Sequence, residues 1–108
     1  MDMVKRFEVW LVNLDPTIGS EVKNTRPCMV VSPDVTNKYL KTVTIVPLTS
    51  TIKNYPTRVD CVFNEKNGQL VIDQIRSIDK RSLLKRLGTM DESTCHKASD
   101  VIVEMFKY

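Results

Sequence analysis

The sequence predicts a mainly β fold of the α+β class, a small and strongly bent sheet with one amphipathic helix at its carboxy-terminal end. Three observations carry that expectation. Short β-rich segments recur between turn residues, an Asn-Gly pair marks a hairpin, and apolar residues fall at helical spacing in the tail. The first strand is FEVWLVNL, residues 7–14, apolar on both faces as in a barrel or sandwich. DPTIGSEVKNT (15–25) follows as a loop of about ten residues, because Asp-Pro, Gly19 and a polar run end the pattern. Loops of that length in a small domain are usually functional or mobile.

PCMVVS (27–32) is the second strand, closed by Pro33-Asp34, and VTIVPL (43–48) is the third, stopped by Pro47. TSTIKNYP (49–56) is another polar loop. RVDCVF (58–63) alternates Val59, Cys61 and Phe63 against Arg58, Asp60 and Val62, as a half-buried strand does. NEKNG (64–68) ends in the Asn-Gly hairpin signal, and QLVIDQI (69–75) returns antiparallel. KRSLLKRLG (80–88) fits either a short helical turn or a last strand. In the tail, Thr89-x-x-Glu92 fits a capping box, with Asp91 favourable near the positive helix end. Cys95, Ala98, Val101, Ile102 and Met105 then mark the apolar face of the helix.

A chain of 108 residues is expected to form one domain over 1–108, with a real core and some apolar surface left for a partner. At 42% hydrophobic and 27% charged, it is neither disordered nor membrane-like. No apolar run reaches the roughly 18 residues of a membrane span, and no charged-then-apolar leader is present. The expectation is a soluble, cytoplasmic protein without membrane contacts. Cys28, Cys61 and Cys95 are widely spaced and form no CxxC pair, which argues against a disulfide framework and a structural metal. They read as small apolar residues in a reducing compartment. A net charge of +3 favours a polyanion only mildly.

Polar residues with chemical potential cluster at strand ends: Gly19-Ser20-Glu21, Arg26, Thr49-Ser50, and Asp73-Gln74 with Arg76. Pro27 biases Arg26 to extended geometry and removes a backbone donor at the strand start, so a stiff element aims a guanidinium that suits phosphate. The plainer reading of Arg26 is a surface ion pair, with Glu21 as a partner. A Thr49 hydroxyl after Pro47-Leu48 suits an oxyanion or phosphate, or simply satisfies a turn. Asp73, Gln74 and Arg76 fit a hydrogen-bonded rim as well as they fit catalysis.

Missing motifs narrow the chemistry. The single histidine, His96, lies early in the tail helix beside Lys97, where solvent reaches it. No histidine pair serves acid–base cleavage, no His/Asp/Glu cluster has metal-ligand spacing, and no P-loop or GxSxG is present. A nuclease built from this chain would use an arginine, a hydroxyl and a carboxylate. That route is open for RNA, whose 2′-OH attacks its own phosphate once it is aligned and the developing charge is stabilised. DNA lacks the internal nucleophile.

VWLVNLDPTIGSEVKNTRPCMVVSPD, TIVPLTS, YPTRV and DQIRSIDKRSL, in this order, resemble the MazF/PemK (Kid) toxins of bacterial toxin–antitoxin pairs, over nearly the whole chain. The resemblance implies a small SH3-like barrel with a packed helix, shared with the CcdB gyrase poisons. It implies a homodimer and a cofactor-free, metal-independent, ribosome-independent endoribonuclease that cuts single-stranded mRNA at short sequences. The products would carry a 2′,3′-cyclic phosphate and a 5′-hydroxyl. In the MazF branch the RP arginine and the first residue of the TS pair are catalytic, which implies Arg26 for proton transfer and phosphate charge and Thr49 for holding the phosphate. Glu21, matching the GSE glutamate, would position Arg26 or the 2′-OH. Thr17, Ser20, Lys23, Asn24, Ser50, Asp73, Gln74 and Arg76 would contact RNA.

The Kid branch relies instead on an aspartate, an arginine and a histidine. Only Asp73 matches; the other two positions are Val71 and Ser20, so the MazF version is expected. Phe7-Glu8 also departs from the glycine–aspartate pair of many relatives. An acidic, partly disordered antitoxin segment would cover the dimer groove and Arg26. Two rival readings share the fold. One is a gyrase poison acting through its carboxy-terminal helix, which the ending Met105-Phe106-Lys107-Tyr108 does not clearly match. The other is a non-catalytic nucleic-acid binder.

Overall fold

A computed structural model describes residues 3–14 and 24–108. Strand β1 (Glu8–Asn13) pairs antiparallel with β2 (Thr25–Val30), and β2 with β3 (Thr42–Thr49). Between them a short helix, α1 (Asp34–Tyr39), follows Pro33. Strands β4 (Arg58–Phe63) and β5 (Lys66–Val71) form a hairpin; β6 is Arg76–Asp79 and β7 is Leu83–Thr89. The order is β4-β5-β3-β2-β1-β7, with β6 also pairing β3. Helix α2 (Glu92–Phe106) lies on one face. The result is a curled antiparallel half-barrel with a carboxy-terminal helix, the predicted class.

Curling originates in β3. Its first half, Thr42 to Ile45, pairs with β6, while Leu48 and Thr49 pair with β5. Pro47 falls in the gap between these two partners, where no ladder bond is lost on that edge. For this reason Pro47 does not stop the strand as expected, but is buried inside it opposite Cys28. Register irregularities after Val9 and after Leu11 add twist between β1 and β7.

Apolar alternation puts two layers on the sheet. Val9, Met29, Val46, Leu48 and Leu70 face α2, where Cys95 and Ala98 are buried and Val101, Ile102 and Met105 pack at the margin. Val12, Cys28, Val30 and Ile45 form the opposite layer with Val4 and Ile78. Each fully buried Val, Leu, Ile or Met among them contributes about 1.5–3 kcal/mol.

Several boundaries differ from the sequence expectation. The β4–β5 turn is Asn64-Glu65, both with positive φ (51° and 65°), instead of Asn67-Gly68. Gly68 is needed elsewhere, because a Cβ there would stand 2.7 Å from the Thr49 carbonyl oxygen. Beyond β5 the chain turns through a 3-10 segment, Ile72–Gln74, so Asp73 and Gln74 do not continue the strand. Residues 80–88 contain both alternatives, a 3-10 turn (Lys80–Ser82) and then β7. Helix α1 was not foreseen; its buried Asn37 is fixed by Ser32 through two hydrogen bonds.

The cap of α2 is Asp91, whereas Thr89 ends β7. Its carboxylate accepts from the Thr94 amide at 3.0 Å and the Thr94 hydroxyl at 2.7 Å. Asp91→Ala should cost about 1 kcal/mol, a fall in melting temperature of roughly 4–8 °C at neutral pH. The Thr94 side chain first, and then its amide, hold this carboxyl below its ordinary value. A depressed folded pKa gives a contribution that is full above the unfolded value of about 3.9 and lost as pH falls through the folded one. Melting curves of the two proteins should therefore converge in acid.

Candidate functional site

Arg26 is the second residue of β2, inside the strand where the sequence had placed it just before. The β2–β3 register sets Cys28 against Pro47 and Met29 against Val46. Continued by two residues, that register carries Arg26 to the level of Thr49. Strand alternation then turns both side chains to the same face. Arg26 and Thr49 in fact line one cleft of about 460 Å³, together with Thr25, Ser50, Asn64, Lys66 and Asn67. Phe63 and Leu87 supply apolar wall. Two groups 23 positions apart in sequence thus share a surface large enough for a nucleotide linkage.

The chemistry of the pair is complementary. Arg26 is exposed, and among the described residues its guanidinium has no hydrogen-bond or ion-pair partner. Its charge and its fork of donors remain available to an anion. The Thr49 hydroxyl oxygen accepts from the Thr51 amide at 3.1 Å. That bond occupies an acceptor position and leaves the hydroxyl proton to donate outward.

Other predicted residues fall in different places. Ser50 joins the cleft. Asp73 accepts from the Thr57 hydroxyl at 3.0 Å, which ties the 3-10 segment to the end of the β3–β4 loop. Gln74 is exposed on that segment. Arg76 opens β6 opposite Ile45, which itself faces Val30. Arg26 and Arg76 therefore share a sheet face, and both pull on the Cys28 thiol, although burial dominates and pushes it up to about 12. Asn24 immediately precedes β2, and its carbonyl accepts from the Leu14 amide at 3.3 Å. Thr17, Ser20, Glu21 and Lys23 lie outside the described residues, as does most of the predicted 15–25 loop.

Sequence reasoning missed Lys66, Asn64 and Asn67. They reach the cleft because the β4–β5 turn folds over the end of β3, and a polar turn looks like ordinary solvent-facing chain until that packing is known. Cys61 in the cleft wall is no candidate nucleophile. Burial, then Asp91 and Asp60, push its thiol up to about 11, so it stays protonated at neutral pH. All three cysteines are free and buried. His96 lies on α2, exposed and 3.5 Å from Glu92, away from the cleft. Among the described residues, no group of three or more His, Cys, Asp or Glu is arranged to hold a metal ion. No helix there is long and apolar enough to cross a membrane.

Comparison with known proteins places this geometry. The profile of the PemK-like, MazF-like toxins of type II toxin–antitoxin systems matches residues 5–106. The chain belongs to this family. Endoribonuclease MazF of Staphylococcus epidermidis is 33% identical over 97 residues, covering 84% of this chain and 81% of the relative. Endoribonuclease EndoA of Bacillus subtilis is 28% identical over 106 residues, covering 93% and 91%. Among solved structures, a MazF crystal structure from Deinococcus radiodurans covers both chains fully, with a TM-score of 0.83 at 23% identity. A mycobacterial endoribonuclease in complex with its cognate antitoxin gives 0.79 at 24% identity, covering 94% of this chain and 92% of that one. At such identities the structural likeness speaks for the fold, and it agrees with the toxin-family half-barrel.

Proposed function

We propose that this toxin, an endoribonuclease like the relatives it matches, cuts single-stranded mRNA by internal attack of the ribose 2′-OH. The observation that carries the reading is Arg26 and Thr49 on the walls of one open cleft. In the reaction the O2′–P bond forms and the P–O5′ bond breaks, with the proton of the 2′-OH lost and one gained by the leaving O5′. Arg26 neutralises charge on the phosphoryl oxygens and assists proton transfer to O5′. Thr49 donates to a non-bridging oxygen. Glu21 is assigned to positioning Arg26 or the 2′-OH. No cofactor or metal is required by this scheme, because the nucleophile is part of the substrate.

RNA is held by Ser50 in the cleft and Asn24 beside it, and farther along the sheet by Asp73, Gln74 and Arg76, where Asp73 meets Thr57 and Arg76 stands opposite Ile45. Thr17, Ser20 and Lys23 contribute from the preceding loop, and Lys66 adds a cation that the sequence had not suggested. The working form is a cytoplasmic homodimer. A cognate antitoxin inhibits it by laying an acidic, partly disordered segment over Arg26; that an antitoxin is the partner is supported by the mycobacterial relative, which was solved in complex with its own.

Purified protein incubated with single-stranded RNA in EDTA tests the reading. Cuts at short recurring sequences are expected. Intact RNA would instead favour a CcdB-like poison or a non-catalytic binder on the same fold.

A further inference from the structure

Gln69 lies on β5 directly across from Thr49, with only 4% of its surface exposed. Its side-chain amide has no capacity to spare. Oε1 accepts from the Lys53 amide and from Arg58 Nη1, each at 3.0 Å. Nε2 donates to the Lys53 carbonyl at 3.0 Å and to Asp60 Oδ1 at 2.8 Å. The two bonds to Lys53 reproduce the exchange that a strand peptide makes with its neighbour, so a side chain stands in for missing backbone. Arg58 Nη1 also donates to the Thr51 carbonyl at 3.1 Å. Thr51 in turn gives its amide to the Thr49 hydroxyl. A continuous set of bonds thus runs from Gln69 and Arg58, through Thr51 and Lys53, to the side chain that faces the cleft.

We infer that Gln69 and Arg58 are positioning residues for cleavage, holding the segment after β3 so that the Thr49 hydroxyl points its proton into the cleft. The inference rests on the endoribonuclease reading above. Released from β5, residues 50–53 would lose their fixed course. The Thr49 oxygen would lose the amide that fixes its rotamer, and the hydroxyl proton would be spent on backbone acceptors. Glutamate cannot replace Gln69, since it lacks both donors and would set a carboxylate against Asp60 and the Lys53 carbonyl. The Arg58 Nε is buried without a partner among the described residues. Its Nη1, by contrast, joins two acceptors, the Thr51 carbonyl and Gln69 Oε1, and so links the segment after β3 to β5.

A double-mutant cycle tests the inference: steady-state cleavage of one RNA by wild type, Gln69→Leu, Thr49→Ala and the double variant, with amide hydrogen exchange at Thr51 and Lys53. Gln69→Leu should lower kcat about 10- to 100-fold at nearly unchanged KM, and both amides should exchange faster. Added to Thr49→Ala, it should slow cleavage less than about threefold further, because it acts through that hydroxyl. Equal slowing in both backgrounds, or an unchanged kcat, would overturn the positioning role. If Gln69→Leu does not fold, Arg58→Met, which removes the donor to Thr51 and Gln69, enters the same cycle with the same outcomes. Thr49→Ala at the wild-type rate would overturn the reading of the site itself. A slow Thr49→Ala with a fast Gln69→Leu would overturn only the inference.

Discussion

Arg26→Ala should slow RNA cleavage by about 10²–10³-fold, or roughly 2.7–4 kcal/mol of transition-state stabilisation, while the fold persists. The magnitude follows from what the guanidinium is asked to do. In the proposed reaction it meets charge that grows as the phosphorus becomes five-coordinate, so its loss would fall on the transition state more than on binding. Folding should be spared because Arg26 is exposed and makes no side-chain bond among the described residues. Arg26→Lys should recover only part of the rate, since a point charge replaces a planar fork. Rates measured with saturating RNA, beside a melting curve for each variant, separate these effects. A wild-type rate in Arg26→Ala would remove the mechanism.

A larger effect is expected from the substrate. Replacing the ribose at the cut site with 2′-deoxyribose removes the attacking oxygen and leaves every protein contact to phosphate in place. Internal attack carries an effective molarity on the order of 10⁵ M or more, and no side chain in the cleft replaces it. The deoxy oligonucleotide should bind with an affinity close to that of RNA, inhibit competitively, and give no product above background. Cutting of the deoxy linkage would mean that water or a protein group is the nucleophile, and the roles given to Arg26 and Thr49 would need to be rebuilt.

Much of this site was legible in the residues because each part has a local signature. Pro27 makes Arg26 extended, and Thr49 ends an apolar strand, so both could be placed at strand ends before any coordinates. What brought them together was register, which depends on which apolar residues oppose one another across β2 and β3 and has no signature within either segment. The same limit explains the errors. Pro47 reads as a stop, but β3 changes partners at that point and tolerates it. Asn67-Gly68 reads as the hairpin turn, but Gly68 is required where β5 approaches the Thr49 carbonyl, and the turn moves to Asn64-Glu65. Lys66 was overlooked for the same reason, since its position follows from that displaced turn. Helix α1 is only six residues long, too short for periodicity to announce it. Gln69 looked like one more polar residue on a strand, and its importance lies entirely in what folds over it.

The proposed reaction is attack by the substrate's own 2′-OH in this cleft, with a guanidinium and an alcohol beside the phosphate. Mass analysis of both new ends at a single mapped cut, made by the purified toxin in EDTA, tests it most directly. Internal attack would leave a 2′,3′-cyclic phosphate on the upstream fragment and a 5′-hydroxyl on the downstream one. A 5′-phosphate paired with a free 3′-hydroxyl would contradict it.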